Sequence, residues 1–117
     1  MTDIEAEVAR ALCEATGYDA FLEVPADHPA ELITVEQTSG GGGFLEPVSL
    51  DVDCWAKEGK GGRKSAKAVA AAVKAAVPDL DGITNVFHPE VENEYRATDP
   101  DTKRSRYCVQ VELWLCE

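Results

Sequence analysis

Apolar residues repeat along this chain with two different periods. Ile4, Val8 and Leu12, with Ala11 and Ala15 beside them, recur at helical spacing. Thr2 precedes them as a cap, and Glu5, three residues on, completes a capping box. Gly17 is the natural stop, since helix ends often need left-handed backbone. A second helical stripe, Ala66, Val69, Ala70, Val73 and Val77, follows the glycine-rich stretch Gly59 to Gly62 and is ended by Pro78. That predicts a helix of roughly 15 residues, whose many alanines favour helix and allow close packing on a sheet.

Between and after these stripes the period is two. Val48, Leu50, Val52 and Cys54 point one way, and Ser49, Asp51, Asp53 and Trp55 the other, as in a half-buried strand. Tyr107, Val109, Val111, Leu113 and Leu115 alternate with Cys108, Gln110, Glu112, Trp114 and Cys116. Leu32 to Thr38 alternates as well, with Ile33, Val35 and Gln37 on one face and Thr34 and Glu36 on the other. Shorter extended segments are predicted from Ala20 to Val24, from Ile83 to His88 with a stop at Pro89, and from Glu90 to Arg96. Gly40 to Gly43 reads as a hairpin tip, Asp27-His28-Pro29 as a loop, and Thr98-Asp99-Pro100-Asp101 as a turn. The expected order is α-β-β-β-α-β-β. It implies one α+β domain over residues 1–117, a mainly antiparallel sheet with both helices packed on one face.

Composition narrows the partners. Among 117 residues, 11 Lys and Arg face 22 Asp and Glu, for a formal net charge of −11. Such a surface opposes wrapping of nucleic acid and docking to anionic lipid, and it suits a basic protein partner. Met1 to Arg10 is a charged, helix-like stretch and not a signal peptide. No run approaches the roughly 18 apolar residues of a membrane span. Cys13, Cys54, Cys108 and Cys116 lack metal-binding spacings, and free thiols in a reducing compartment are the expectation.

Three carboxylates, Asp51, Asp53 and Glu112, share polar strand faces. Such a cluster could hold Mg²⁺ for phosphodiester hydrolysis, although a solvated strand face alternates with core residues in the same way. His28 and His88 each precede a proline, away from any helical metal-pair spacing. Gly62-Arg63-Lys64-Ser65 lacks the preceding strand and glycine spacing of a phosphate loop. No catalytic residue, metal or cofactor is assigned. Lys57, Lys60, Arg63, Lys64 and Lys67 are concentrated around the start of the second helix, where the positive end of the helix dipole favours acidic residues. They form either a docking patch for an acidic surface or a tolerated, solvated helix end. Lys103, Arg104 and Arg106 form a second basic cluster, either a hairpin tip meeting a partner or, more commonly, a charged turn.

Taken in order, these segments resemble the tail terminator proteins of long-tailed bacteriophages, also described as tail completion or minor tail proteins. The resemblance rests on the N-terminal helix with its extended segment ending in Val24-Pro25, and on Ile33-Thr34-Val35-Glu36-Gln37-Thr38 closing on Ser39-Gly40-Gly41. It continues through Leu50-Asp51-Val52-Asp53-Cys54-Trp55-Ala56, the alanine-rich helix Ser65 to Val77, and the Asp99-Pro100-Asp101 turn leading into Arg106 to Leu113.

The resemblance implies a structural virion protein assembled in the host bacterial cytoplasm. It would form a ring with copies of itself, commonly a hexamer, on the tail tube protein, stop tube growth and meet the head-tail connector. DNA would pass through the channel without specific binding, and no membrane is involved. A ring needs unlike surfaces that meet head to tail. The basic patch and the acidic residues Glu90, Glu92 and Glu94 are candidates for those surfaces, and Asp51, Asp53 and Glu112 for a channel face that repels DNA. Another neck or head-closure adaptor is the nearest alternative, and a metal-dependent nuclease the alternative from a different class.

Overall fold

A computed structural model of the chain describes residues 3–26, 31–40, 45–56, 62–98 and 104–116. The expected features at Thr2, Asp27-His28-Pro29, Gly41 to Gly43, Lys57, Lys60, Asp99-Pro100-Asp101 and Lys103 lie outside the described residues.

Helix α1 (Ile4–Thr16) is capped by Asp3, whose side chain accepts from the Ala6 amide at 3.2 Å. Glu5 does not close a capping box. Its carboxylate accepts from the Gln37 amide at 2.7 Å and ties the helix to the sheet. Gly17 ends the helix at φ 80°, its amide donating to the Cys13 carbonyl. Strands β1 (Asp19–Phe21), β2 (Leu32–Ser39) and β3 (Leu45–Trp55) follow, then helix α2 (Gly62–Ala76). Pro78 ends α2, but the backbone tightens into a 3₁₀ segment, Val77–Gly82, that buries Val77 and Leu80. Strands β4 (Val86–Arg96) and β5 (Arg106–Cys116) complete the chain.

The fold is α+β. A five-stranded sheet runs in the order β1-β2-β3-β5-β4. Every neighbouring pair is antiparallel except β1–β2, which is parallel. That pair departs from the antiparallel expectation: Asp19 stands beside Leu32 and Phe21 beside Thr34, so both strands run the same way, as strands joined by more than a tight turn can.

The second departure is β4, which the sequence divides at Pro89. The strand continues through the proline because β4 is an edge, where a missing amide need not cost a ladder bond. Continuity is kept by register shifts between Phe87 and Glu90 and between Val91 and Asn93. His88 lies at φ 52° within the first of these. Ile83 precedes the strand, its amide bonded to the Leu80 carbonyl at 3.0 Å.

Both helices cover one face of the sheet. The core joins Val8 and Leu12 of α1 and Val69 and Val73 of α2 to Val35, Leu50, Val52, Val109, Val111 and Leu113 of the strands. Fully burying a side chain of this kind contributes roughly 1.5–3 kcal/mol. The opposite face carries the polar set of the alternation and faces away from the helices.

Candidate functional site

The exposed side of α2 carries Arg63, Lys64 and Lys67. Two of them, Arg63 and Lys67, reach the beginning of β5. Arg63 Nε donates to the Tyr107 hydroxyl at 3.5 Å, and Lys67 Nζ stands 5.9 Å from the centre of the same ring. The hydrogen bond from Arg63 holds the tyrosine hydroxyl below its ordinary pKa. Beside these cations Ala68 and Ala71 are exposed, and the group lines an open hollow of about 500 Å³. The floor is aliphatic because long basic side chains lay their stems along it while their charged ends reach water.

The outer sheet face is acidic. Register places Glu36 beside Asp51, Asp51 beside Gln110, and Gln110 beside Asn93. Gln110 Nε2 donates to Asp51 Oδ1 at 3.4 Å. On the next rung lie Thr34, Asp53, Cys108 and Tyr95. Burial raises the Asp53 carboxyl above the ordinary carboxylate range, with partial offset from Arg106 and the Cys108 thiol. Burial likewise pushes Cys108 up to about 12. Asp53 is therefore half-covered among neighbours, not a free member of a charged array.

The three carboxylates singled out in the sequence share this face but do not converge as a set. Glu112 lies opposite Ser49 on one side and Glu90 on the other. Among the described residues, its carboxylate groups with those of Glu90 and Glu92, ligand oxygens within 4.8 Å of one another. The acidic segment on β4 divides as well. Glu90 and Glu92 join Glu112, whereas Glu94 turns toward α2 and accepts from Lys74 Nζ at 2.8 Å. The other Glu94 oxygen is buried with no hydrogen-bond donor among the described residues.

Two features escape a sequence reading. Arg104 of the second basic cluster is buried, its guanidinium donating to the Ala56 carbonyl, with Nε at 2.9 Å. Arg106 lies over Trp55, 4.8 Å from the ring, and donates from Nε to the Ala97 carbonyl at 3.0 Å. Both cations hold the sheet end together. A run of charges beside a turn gave no sign of this, because the acceptors are carbonyls 48 and nine residues away.

The other feature is an apolar hollow of about 440 Å³ at the opposite end of the outer face. Leu45, Phe87, His88, Trp114 and Cys116 line it. Phe87 pairs across strands with Trp114, and Leu45 with Cys116. Leu45 is 51% and Phe87 50% exposed, and beside Trp114 they form a patch in place of scattered single residues. The alternation shows only that Trp114 and Cys116 fall on the polar side of β5; that Phe87 and Leu45 stand beside them follows from the register of the neighbouring strands.

The family described as Tail completion protein gp17 matches residues 30–115, from the entry to β2 through nearly all of β5. No curated protein matches the chain.

Proposed function

From the chain's membership of the Tail completion protein gp17 family, which makes it a structural component of the phage tail and so of the virion, we propose that it caps the tail tube as a ring. In this reading the ring, commonly a hexamer, ends tube polymerisation and offers the joining surface to the head-side connector. The observation that supports a ring is the placement of charge. Arg63, Lys64 and Lys67 lie on the helix side at the beginning of β5, and Glu90, Glu92 and Glu112 lie on the outer face toward its end. A molecule with complementary surfaces at opposed positions favours head-to-tail contacts, which close into rings when the rotation per subunit permits.

Arg63, Lys64 and Lys67 of one copy meet Glu90 and Glu92 of the next. Lys57 and Lys60 extend the basic surface in sequence. Glu94 contributes indirectly, because its partner is Lys74 of its own α2. The outer-face carboxylates Asp51 and Asp53 border the channel and repel DNA backbone, so that DNA moves through without sticking, while Glu112 at their margin goes with Glu90 and Glu92 to the contact between copies.

Electron microscopy of the protein mixed with purified tail tubes tests the proposal. A ring on the head-proximal end is the expected result. Rings absent from tube ends, or found along the tube wall, would sink the terminator assignment and leave another neck role within the same family.

A further inference from the structure

Two shallow apolar hollows with rims of opposite charge occupy opposed corners of the molecule. One is the α2 hollow, whose floor is Ala68 and Ala71 and whose rim is Arg63, Lys64 and Lys67. The other is the hollow of Leu45, Phe87 and Trp114, flanked by Glu90 and Glu112, which pair with each other just beside the Phe87–Trp114 pair. Alternation puts the aromatic hollow on the outer face, while α2 covers the inner one. Arg63 and Lys67 gather at Tyr107, near the first residue of β5, and Trp114 is near the last. At about 3.3 Å per residue the two sites stand some 23 Å apart along the strand as well as on opposite faces.

We propose that the aromatic hollow is the apolar centre of the contact between copies, and that its occupant is the exposed face of α2 from a second molecule. The proposal rests on the ring reading and adds to it the residues that seat one subunit on the next. Phe87 and Leu45 of one copy pack against the flat alanine surface of the other. Around them Arg63, Lys64 and Lys67 face Glu90, Glu92 and Glu112. Charge complementarity selects this occupant. Three carboxylates crowd within 4.8 Å of one another on one rim, and the basic face of α2 is the complementary surface with small residues able to admit a protruding phenylalanine. An aromatic anchor at the centre with a polar, charged rim around it follows the usual anatomy of an interface.

The edge of the sheet argues for the same mode. Two register shifts in the β4–β5 ladder, the first of them spanning Pro89, make β4 an irregular edge, which disfavours strand-to-strand addition there. Recognition at this end therefore proceeds through side chains on the face.

Photo-cross-linking tests the contact on the full chain. Phe87, half exposed, is replaced by benzoylphenylalanine, and isotopically light and heavy protein are mixed so that links between copies are distinguished from links within one. Links between copies are expected at residues 62–76. Arg63→Glu with Lys64→Glu in the partner should reduce the yield on the order of tenfold, the size of a lost interface anchor. Glu90→Lys with Glu92→Lys in the photo-labelled copy should restore it.

Links between copies that map elsewhere, or no links at the highest soluble concentration, overturn the proposal. So does a yield unchanged by the charge reversals. Phe87→Ser, checked for native circular dichroism, should weaken self-association in sedimentation velocity by a similar factor, and an unchanged value also counts against the contact. The ring reading is judged separately by the occupancy of tail ends. Tails capped normally by Phe87→Ser protein would discard this contact and keep the ring.

Discussion

Gly40 follows the last residue of β2 at φ 91°, and a Cβ built there would meet the Pro47 carbonyl oxygen at 2.1 Å. That contact is with backbone, so no side chain can move aside. Gly17 also has positive φ but nothing within 4 Å of an added Cβ. Gly17→Ala should therefore cost about 1 kcal/mol, the ordinary conformational penalty. Gly40→Ala should cost distinctly more, and urea unfolding of the two variants reads the difference. The sequence marked both glycines but not their ranking, which depends on how close β3 runs. Asp53 offers a second test. Its carboxyl is raised above 3.8 by burial, so the folded state holds its proton more tightly than the unfolded chain does. The ionised form is then destabilising, and stability falls as pH rises through the interval above 3.8. Asp53→Asn should raise the melting temperature at pH 7, and the gain should fade as the pH is lowered toward 3.8. A gain that is independent of pH would mean that the carboxylate's charge is not the cause.

Elements were legible wherever one period ran without interruption. The alternation of β3 and β5 identified their faces residue by residue, and the alanine-rich stripe fixed α2, because each has one face wholly inside the core. β4 was split in the sequence for a physical reason. An edge strand buries little, so its apolar and polar residues need not alternate, and Pro89 looks like an end where it is a bulge. Likewise nothing local in Asp19 to Phe21 distinguishes a parallel partner from an antiparallel one. The pairing of β4 with β5 carries its own prediction. Glu90 and Glu112 are directly opposite, a like-charge cross-strand pair that weakens a sheet. Glu112→Lys should stabilise the isolated chain by roughly 0.2–1 kcal/mol. The gain in denaturant midpoint should shrink at 1 M salt, where screening acts over about 3 Å.

For the whole molecule, the candidate surfaces were half legible. The basic patch was visible because it contradicts the helix dipole, and Arg63, Lys64 and Lys67 are indeed exposed together. The acidic counterpart was visible only as a segment. Which members point outward depended on the register shifts in β4, and these send Glu94 to Lys74 while Glu90 and Glu92 join Glu112. The aromatic hollow needed three strands to be placed side by side before Leu45, Phe87 and Trp114 could meet. At this scale the expected behaviour of Arg63→Glu with Lys64→Glu is weaker ring formation on tail tubes, with whatever assembly remains less sensitive to salt. Counting capped tube ends by microscopy at low and high ionic strength would measure it. Normal capping at every salt concentration would remove the electrostatic pairing from the account.

The interrupted margin at Phe87 to Asn93 has a consequence for how such a protein can be stored and released. A regular border would let copies zip backbone to backbone, a bond pattern that strengthens cooperatively and is slow to undo. With that route obstructed, free copies should associate only weakly and reversibly through the side-chain contact proposed above, until, on the ring reading, a template gathers them. Assembly is then timed by the arrival of a finished surface and not by the accumulation of the protein.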